Sequence, residues 1–374
     1  TKFFYIKKKF FLVYLYLFSK KKLKFWKAIL VVVIIGSGLY FSLRIPFVQD
    51  LVIKTAVSNL ATADSPFPEE DALSALICGS RSPLPSPGRA QTCVAVKAGE
   101  DIFIVDIGDG GNVNLGKYGV PTNQIKAVLF THLHSDHISD LADLHLATWL
   151  PGRPKALPVY GPEGTDIVTE GFEMAYKLDY GFRNEHHGEA LAPIKSVGFE
   201  TTIVDLNNPI IYNENGLKIT AFKVTHEPIE PALGYRFDYK GRSLVITGDS
   251  SYDENIALNS KNADVLIAEA QANHIINIMQ KALLDRDPNQ PLVKVLEDIK
   301  TYHMTPIEAA KLANMANVKH LIFYHLTPAP RNGIMENVFV RGVDEIRTDW
   351  TLSRDGTFVV LPVGTEQINL SDLN

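Results

Sequence analysis

Apolar and polar positions along the chain alternate in runs short enough to be read element by element. "ALSALICG" (72–79), "TCVAVKAG" (92–99) and "DIFIVDIGDGG" (101–111) read as strands, the last closing in a glycine turn. Between the first two lies "SRSPLPSPGRAQ", a loop stiffened by three prolines. "IKAVLF" (125–130) is a short apolar run of the kind a buried strand shows. "ISDLADLHLATWL" (138–150) switches to a helical period, with Leu141, Leu144 and Trp149 near one face, and "ALPVYGPEG" (156–164) returns to strand and turn. Residues 165–205 show no legible period.

The second half has the same style. Strands are predicted at 216–226, 232–241, 242–249 and 263–270, and a helical segment over about 271–299. "TYHMTPIEAAKLANMANVKHLIFYHLTP" (301–328) reads as turn, helix, strand and loop. Its helix has a strong start signal: Thr305 as cap, Pro306 at the first position, and Glu308 completing a Thr-x-x-Glu capping box. Strands with interleaved helices in two similar halves predict a layered α/β (α+β) architecture, sheets inside and helices outside.

One apolar run differs in kind. "FWKAILVVVIIGSGLYFSL" (25–43) comes close to the ~30 Å of a bilayer core at about 1.5 Å per helical residue. Lysines 20, 21, 22, 24 and 27 stand on its N-terminal side, and Arg44 and Lys54 are the cations soon after it. That asymmetry keeps the N-terminus in the cytoplasm and sends the body across, to the periplasm or cell exterior. A signal anchor is the expectation. A cleaved signal, with "ATAD" (61–64) as its site, and a buried core helix are the alternatives; the first site is too distant and the second leaves the lysines unexplained. The chain then divides into a basic segment (1–24), a transmembrane anchor (25–43), a connector (44–74) and a folded body (75–374).

Charge sharpens the division. Residues 1–54 hold 11 of the 37 Lys/Arg and one of the 42 Asp/Glu, so the rest carries 26 cations and 41 acids, a formal −15. Such a body lacks the electrostatic footprint of a nucleic-acid binder. The two cysteines, Cys78 and Cys93, are too few for a disulfide framework or a cysteine zinc site. They form either one disulfide or two small buried residues on neighbouring strands.

The chemistry concentrates in "THLHSDHISD" (131–140). His132 and His134, two apart at the end of a strand, face the same way and can share one ion. Asp136 and His137 follow where the chain turns into a helix, and can reach a second ion beside the first. Imidazole suits zinc; carboxylate suits zinc, manganese or iron. His226 in "KVTHEP", Asp249 in "VITGDS" and His325 in "IFYHLTP" stand at the ends of apolar strands and are candidates to complete both sites. Asp106 in "VDIGDGG" is a candidate to support a ligand histidine. Arg89 is either a contact for a substrate anion or a surface residue, and His186 and His187 either line the entrance or lie on a solvated loop. His145 and His274 have no ligand spacing. No Gly-x-Ser-x-Gly elbow is present, so covalent serine catalysis is unsupported.

His-x-His-x-Asp-His at 132–137, followed in order by His226, Asp249 and His325, resembles the metallo-β-lactamase-fold hydrolases over about residues 75–330. The resemblance implies a four-layer αβ/βα sandwich with its site at one edge of two sheets. It implies two divalent metals, zinc first: one held by His132, His134 and His226, the other by Asp136, His137 and His325, with Asp249 bridging and a shared hydroxide as nucleophile. "DVLIAEA" and "TYHMTP" further resemble the branch containing ribonuclease Z, phosphodiesterases and arylsulfatases. That branch pairs a glutamate with a His-x-Thr histidine, here Glu269 and His303, as the group that protonates the leaving oxygen. Only 22 residues separate His226 from Asp249, too few for the long arm with which ribonuclease Z grips tRNA. The expectation is therefore a membrane-anchored hydrolase of a small-molecule ester, a phosphodiester first, with no nucleic-acid partner; a homodimer is compatible with it. Lactone or β-lactam hydrolysis and arylsulfatase activity would use the same site, and a tethered binding protein with little turnover is the alternative of another class.

Overall fold

The computed structural model describes residues 24–61 and 65–373. The expected basic segment, Lys24 apart, lies outside the described residues, as do three of the four residues of "ATAD". Two units form, one up to Asp64 and one from Ser65. In the first, Lys24–Ser42 is a 19-residue helix long and apolar enough to cross a membrane. A second helix, Pro46–Ala61, lies within the stretch expected as a connector. Its sequence explains it: Pro46 sits in the first turn, where its missing N–H costs nothing, and no glycine or proline follows until the helix has ended.

The second unit is built on two sheets. The first runs β15-β14-β1-β2-β3-β4-β5-β6 and the second β13-β12-β11-β10-β9-β8-β7. The strands of the first half are β1 (Ala72–Gly79), β2 (Cys93–Ala98), β3 (Asp101–Ile107), β4 (Ile125–Leu129), β5 (Leu157–Gly161) and β6 (Phe199–Ile203). The second half supplies β7 (Ile210–Glu214), β8 (Leu217–His226), β9 (Ile229–Tyr239), β10 (Arg242–Ile246), β11 (Val265–Gln271), β12 (His320–Thr327), β13 (Trp350–Leu352), β14 (Thr357–Pro362) and β15 (Asn369–Asp372). The continuous apolar runs of β1, β3, β10, β11 and β14 are buried along their whole length, as strands covered on both faces must be.

Three apolar layers result. Val96, Phe103, Tyr235, Phe237, Ile267 and Tyr324 belong to the core between the sheets. Ile104, Leu115 and Leu144 pack on the outer face of the first sheet, and Leu266, Ala309, Leu312 and Phe339 on that of the second. The order helices, sheet, sheet, helices is the predicted four-layer sandwich. The helix Pro306–Met315 starts as expected: Glu308 accepts from the Thr305 amide at 2.7 Å while the Thr305 hydroxyl accepts from the Glu308 amide at 3.3 Å.

Other expectations are corrected. The illegible stretch contains a 23-residue helix, Thr165–His187, in which only Thr165, Thr169 and Tyr180 are buried, too few to print a period on the sequence. The segment expected as one helix over 271–299 is two, Asn273–Arg286 and Pro291–Asp298, broken ahead of Pro291. β4 ends at Leu129, so His132 and His134 lie on the loop beyond it rather than on a strand. Cys78 and Cys93, fully buried on paired strands, form a disulfide closing 15 residues, worth about 3 kcal/mol in chain entropy.

Candidate active site

The predicted residues come together where the ends of both sheets meet. His132 and His134 lie on the loop after β4, Asp136 and His137 on the single-turn helix Ser135–Ile138, His226 ends β8, Asp249 follows β10, and His325 lies in β12. The ligand atoms of His132, His134, His226 and Asp249 lie within 4.8 Å of one another, and so do those of Asp136, His137 and His325. Asp249 stands between the groups: its Oδ2 is 3.9 Å from His132 Nε2, 3.4 Å from His137 Nε2 and 3.2 Å from His325 Nε2.

Backbone irregularities aim these side chains. In the β11–β12 ladder Glu269 pairs with Tyr324 and Ala270 with Leu326, so His325 is the extra residue of a bulge, with φ 44°. Asp106 is skipped in the same manner between β2 and β3, with φ 56°. A non-glycine residue held there costs about 1–3 kcal/mol, a strain that clusters at working sites. Gly248 (φ +65°) lets the chain pass against Thr131 immediately before Asp249; a Cβ would lie 2.7 Å from the Thr131 Cβ. At Gly108 a Cβ would lie 2.0 Å from the Asp136 carbonyl oxygen, so only glycine admits the helix that carries Asp136 and His137.

Hydrogen bonds fix which imidazole nitrogens remain free. His137 Nδ1 donates to Asp106 Oδ2 at 2.9 Å, and Asp106 is held by the Thr131 amide and hydroxyl, both at 2.8 Å. His226 Nδ1 donates to the Tyr302 carbonyl at 2.9 Å. The opposite nitrogens, His137 Nε2 and His226 Nε2, are buried without a hydrogen-bond partner, as are His325 Nδ1 and Asp249 Oδ1. Buried polar atoms are almost always satisfied, and a divalent cation satisfies lone pairs of this donor set. Both clusters fit a metal ion. Burial first, and then the charge of His137, hold His132 well below its ordinary pKa, and burial brings His226 down to about 4, so both are neutral, as a metal ligand would have to be. Burial opposes ionising Asp249, but His325 and His137 outweigh it and keep the carboxyl well below its usual range.

Residues 117–326 of the chain match the beta-lactamase superfamily domain. The chain belongs to the metallo-β-lactamase superfamily. It is 32% identical over 256 residues to the ribonuclease Z of Mycobacterium bovis (strain BCG / Pasteur 1173P2), an alignment covering 68% of this chain and 85% of that protein. Among solved structures, the metallo-β-lactamase fold protein YhfI from Bacillus subtilis has a TM-score of 0.56 at 21% identity, covering 78% of this chain and all of that one. The short form of human tRNase Z gives 0.56 at 20%, with the same coverage. At these identities the two structures speak for the fold, and the sequence relatives carry the family.

Beside the clusters of this metallo-β-lactamase fold stands the second predicted pair. His303 Nδ1 is 3.0 Å from Glu269 Oε1 and 4.0 Å from Asp249 Oδ2. Glu269 is fully buried, and burial raises its pKa; against that, His303 and the amides of Ser250 (3.1 Å) and Met304 (3.2 Å), which donate to the same oxygen, favour its ionised form. Burial works against a charge on His303, but Glu269, Asp249 and Asp136 outweigh it and raise its pKa. With Nδ1 held by Glu269, Nε2 is the nitrogen left to face a substrate.

A pocket of about 270 Å³ opens over His134, Asp136, Asp249 and His303. Its walls come from Pro83 and Leu84 on the proline-stiffened loop 80–91, from Val295 and Ile299, and from Tyr302 in the turn before Thr305. Arg89, a candidate for a substrate anion, is instead packed inside: it donates to the Ser80 hydroxyl and the Ser353 carbonyl, both at 2.8 Å. Asp355 accepts from the Ser80 amide and hydroxyl and from the Ala90 amide. Arg89 and Asp355 together pin both ends of the loop that presents Pro83 and Leu84. Nothing in the sequence marked Asp355, since an acid before a glycine turn is common. His186 and His187 end a helix, exposed. His145 is a core histidine whose Nε2 accepts from the Gly198 amide at 2.8 Å, burial having brought it down to about 3. His274 donates to the Val338 carbonyl at 2.7 Å.

Proposed function

We propose that the chain is a membrane-anchored, dinuclear metal-dependent phosphodiesterase acting on a small-molecule diester. The observation that carries this is the Glu269–His303 pair, a polarised imidazole set 4.0 Å from the carboxylate between the two ligand clusters. His132, His134 and His226 would hold one ion, Asp136, His137 and His325 the other, and Asp249 both. Zinc suits the histidine-rich set, with manganese or iron the alternatives. Divalent metals bound there supply Lewis acidity and bring the pKa of water toward neutrality.

The chain's own residues supply the rest. Asp106 and the Tyr302 carbonyl fix the tautomers and orientations of His137 and His226. Asp136, on the pocket floor, is placed to take the proton of the attacking water, and the pocket walls hold the ester in line. His303 Nε2 gives its proton to the departing oxygen, and the Glu269 carboxylate offsets the charge of the imidazolium before transfer. A diester fits because its alkoxide or phenoxide leaving group needs that proton.

Ribonuclease Z relatives act on RNA, but two features favour a smaller substrate here. The body carries −15, and the short stretch between His226 and Asp249 is filled by the β9–β10 hairpin. The decisive experiment is a panel of nitrophenyl phosphodiester, nitrophenyl sulfate and lactone substrates offered to the zinc-loaded protein. Diester turnover well above the other two is expected. Preferred lactone or sulfate hydrolysis would reassign the enzyme, and no turnover at all would favour a tethered binding protein.

The helix Lys24–Ser42 and the lysines before it support anchoring with the body outside the cytoplasm. The disulfide Cys78–Cys93 supports the same side, since a reducing cytosol disfavours it. Protein made in cells should partition with membranes, and its thiols should stay unlabelled in denaturant until a reductant is added. Free thiols on lysis, or recovery in the soluble fraction, would overturn the assignment.

A further inference from the structure

The pocket over the ligand clusters is chemically one-sided. Its ionic groups, His134, Asp136 and Asp249, form the floor at the ligand clusters; the rest is mainly hydrocarbon and aromatic, from Pro83, Leu84, Val295, Ile299 and Tyr302, with the neutral Ser82, Ser135 and Thr327 as its other polar residues beside His303. These walls are fixed in place. Leu84, Ile299 and Tyr302 pack with the buried Ile276 and Leu296 in one small cluster, and the loop bearing Leu84 is pinned at its two ends by Asp355 and Arg89. Among the described residues lining the pocket there is no lysine or arginine.

His303 gives this asymmetry a direction. It belongs to the same wall, next in the chain to Tyr302, and its proton goes to the departing oxygen. The group attached to that oxygen therefore lies along Leu84, Val295, Ile299 and Tyr302, while the phosphoryl group and the attacking water lie over the floor. We infer that the leaving group is a compact, uncharged apolar alcohol or phenol, and that Leu84, Val295, Ile299 and Tyr302 set specificity on the leaving-group side. This rests on the phosphodiesterase reading and narrows it to a substrate class.

Two physical terms support the inference. A further phosphate or carboxylate on the leaving group would lose its water against these side chains and meet no cation, which is strongly unfavourable. The volume of about 270 Å³ lies just under the roughly 300–1,000 Å³ of pockets for drug-sized ligands, so a single ring or short branched chain is the size that fits. In the reaction, an O–P bond forms from water and the P–O bond to the apolar alcohol breaks. The alcohol departs with the His303 proton; the proton that Asp136 takes from water is released to solvent, from which the imidazole is reprotonated. The products are a phosphomonoester and a neutral apolar alcohol.

The test uses the full zinc-loaded chain and two methyl aryl phosphodiesters whose leaving phenols have matched acidity, one neutral and one bearing a carboxylate. The neutral leaving group should be preferred in kcat/KM by about 30-fold or more. Val295 is 45% exposed, so Val295→Lys leaves the core intact. That variant should lower kcat/KM for the neutral diester by about 10-fold and raise it for the carboxylate-bearing one. Equal wild-type rates for the two diesters, or a preference that Val295→Lys does not move, would overturn this inference while leaving the phosphodiesterase standing. Turnover of a lactone with none of either diester would overturn both.

Discussion

Replacing Asp249 with alanine is expected to yield a folded protein that has lost its tightly held metal and at least about 10³-fold of its hydrolytic rate. The reason is positional. Its Oδ2 lies 3.2–3.9 Å from imidazole nitrogens of His132, His137 and His325, which belong to both clusters, and its Oδ1 is a buried oxygen without a partner. No other carboxylate among the described residues touches both sets. Without it, two cations would lie close together with no anion between them. Asp249→Asn keeps the shape and removes the charge, so it should lose metal nearly as fully as the alanine variant. Asp106→Asn is the graded comparison: Asp106 orients His137 without facing the site, and its loss should weaken metal retention by only about 10–100-fold. Elemental analysis after dialysis against a weak chelator, alongside circular dichroism, reads all three. Two retained metals per chain in Asp249→Ala would remove Asp249 from its place between the clusters.

What the sequence disclosed, and what it hid, follows from how far apart the cooperating atoms lie along the chain. His132, His134, Asp136 and His137 are legible because six consecutive residues supply side chains to both candidate clusters. His226, Asp249 and His325 are legible because a polar group ending an apolar strand has to be accounted for. Their aim was not: the bulge at His325 and the left-handed turn at Asp106 are backbone conformations with no marker in an alphabet of side chains. The helix Thr165–His187 was invisible because its buried face is so sparse. Part of the pocket wall was hidden for the opposite reason. Val295 and Ile299 are ordinary apolar residues, and only the fold shows that they line the pocket over the clusters rather than a core. Arg89 misled because an arginine on a proline loop looks exposed, yet here it clamps that loop from within.

The second large effect is expected at His303, and its size should depend on the substrate. Removing a general acid costs about 10²–10⁴-fold when the leaving oxygen is basic and far less when it is not. His303→Ala should therefore lower kcat by about 10³-fold for a diester that expels an alcohol or unsubstituted phenol, and by only about 10-fold for one that expels nitrophenolate. Glu269→Gln should fall between, since it leaves the imidazole in place but removes the anion that orients and charges it. Metal content separates this role from its competitor. His303 lies close enough to Asp249 and His325 to form a third potential metal cluster. Yet its Nδ1 is engaged by Glu269 at 3.0 Å and stands 4.0 Å from Asp249. A nitrogen whose proton is held by a buried carboxylate has no lone pair to give an ion, so His303→Ala should keep the metal that Asp249→Ala loses. A variant that lost metal, or whose rate fell equally for good and poor leaving groups, would make His303 a ligand and leave the departing oxygen without a proton donor.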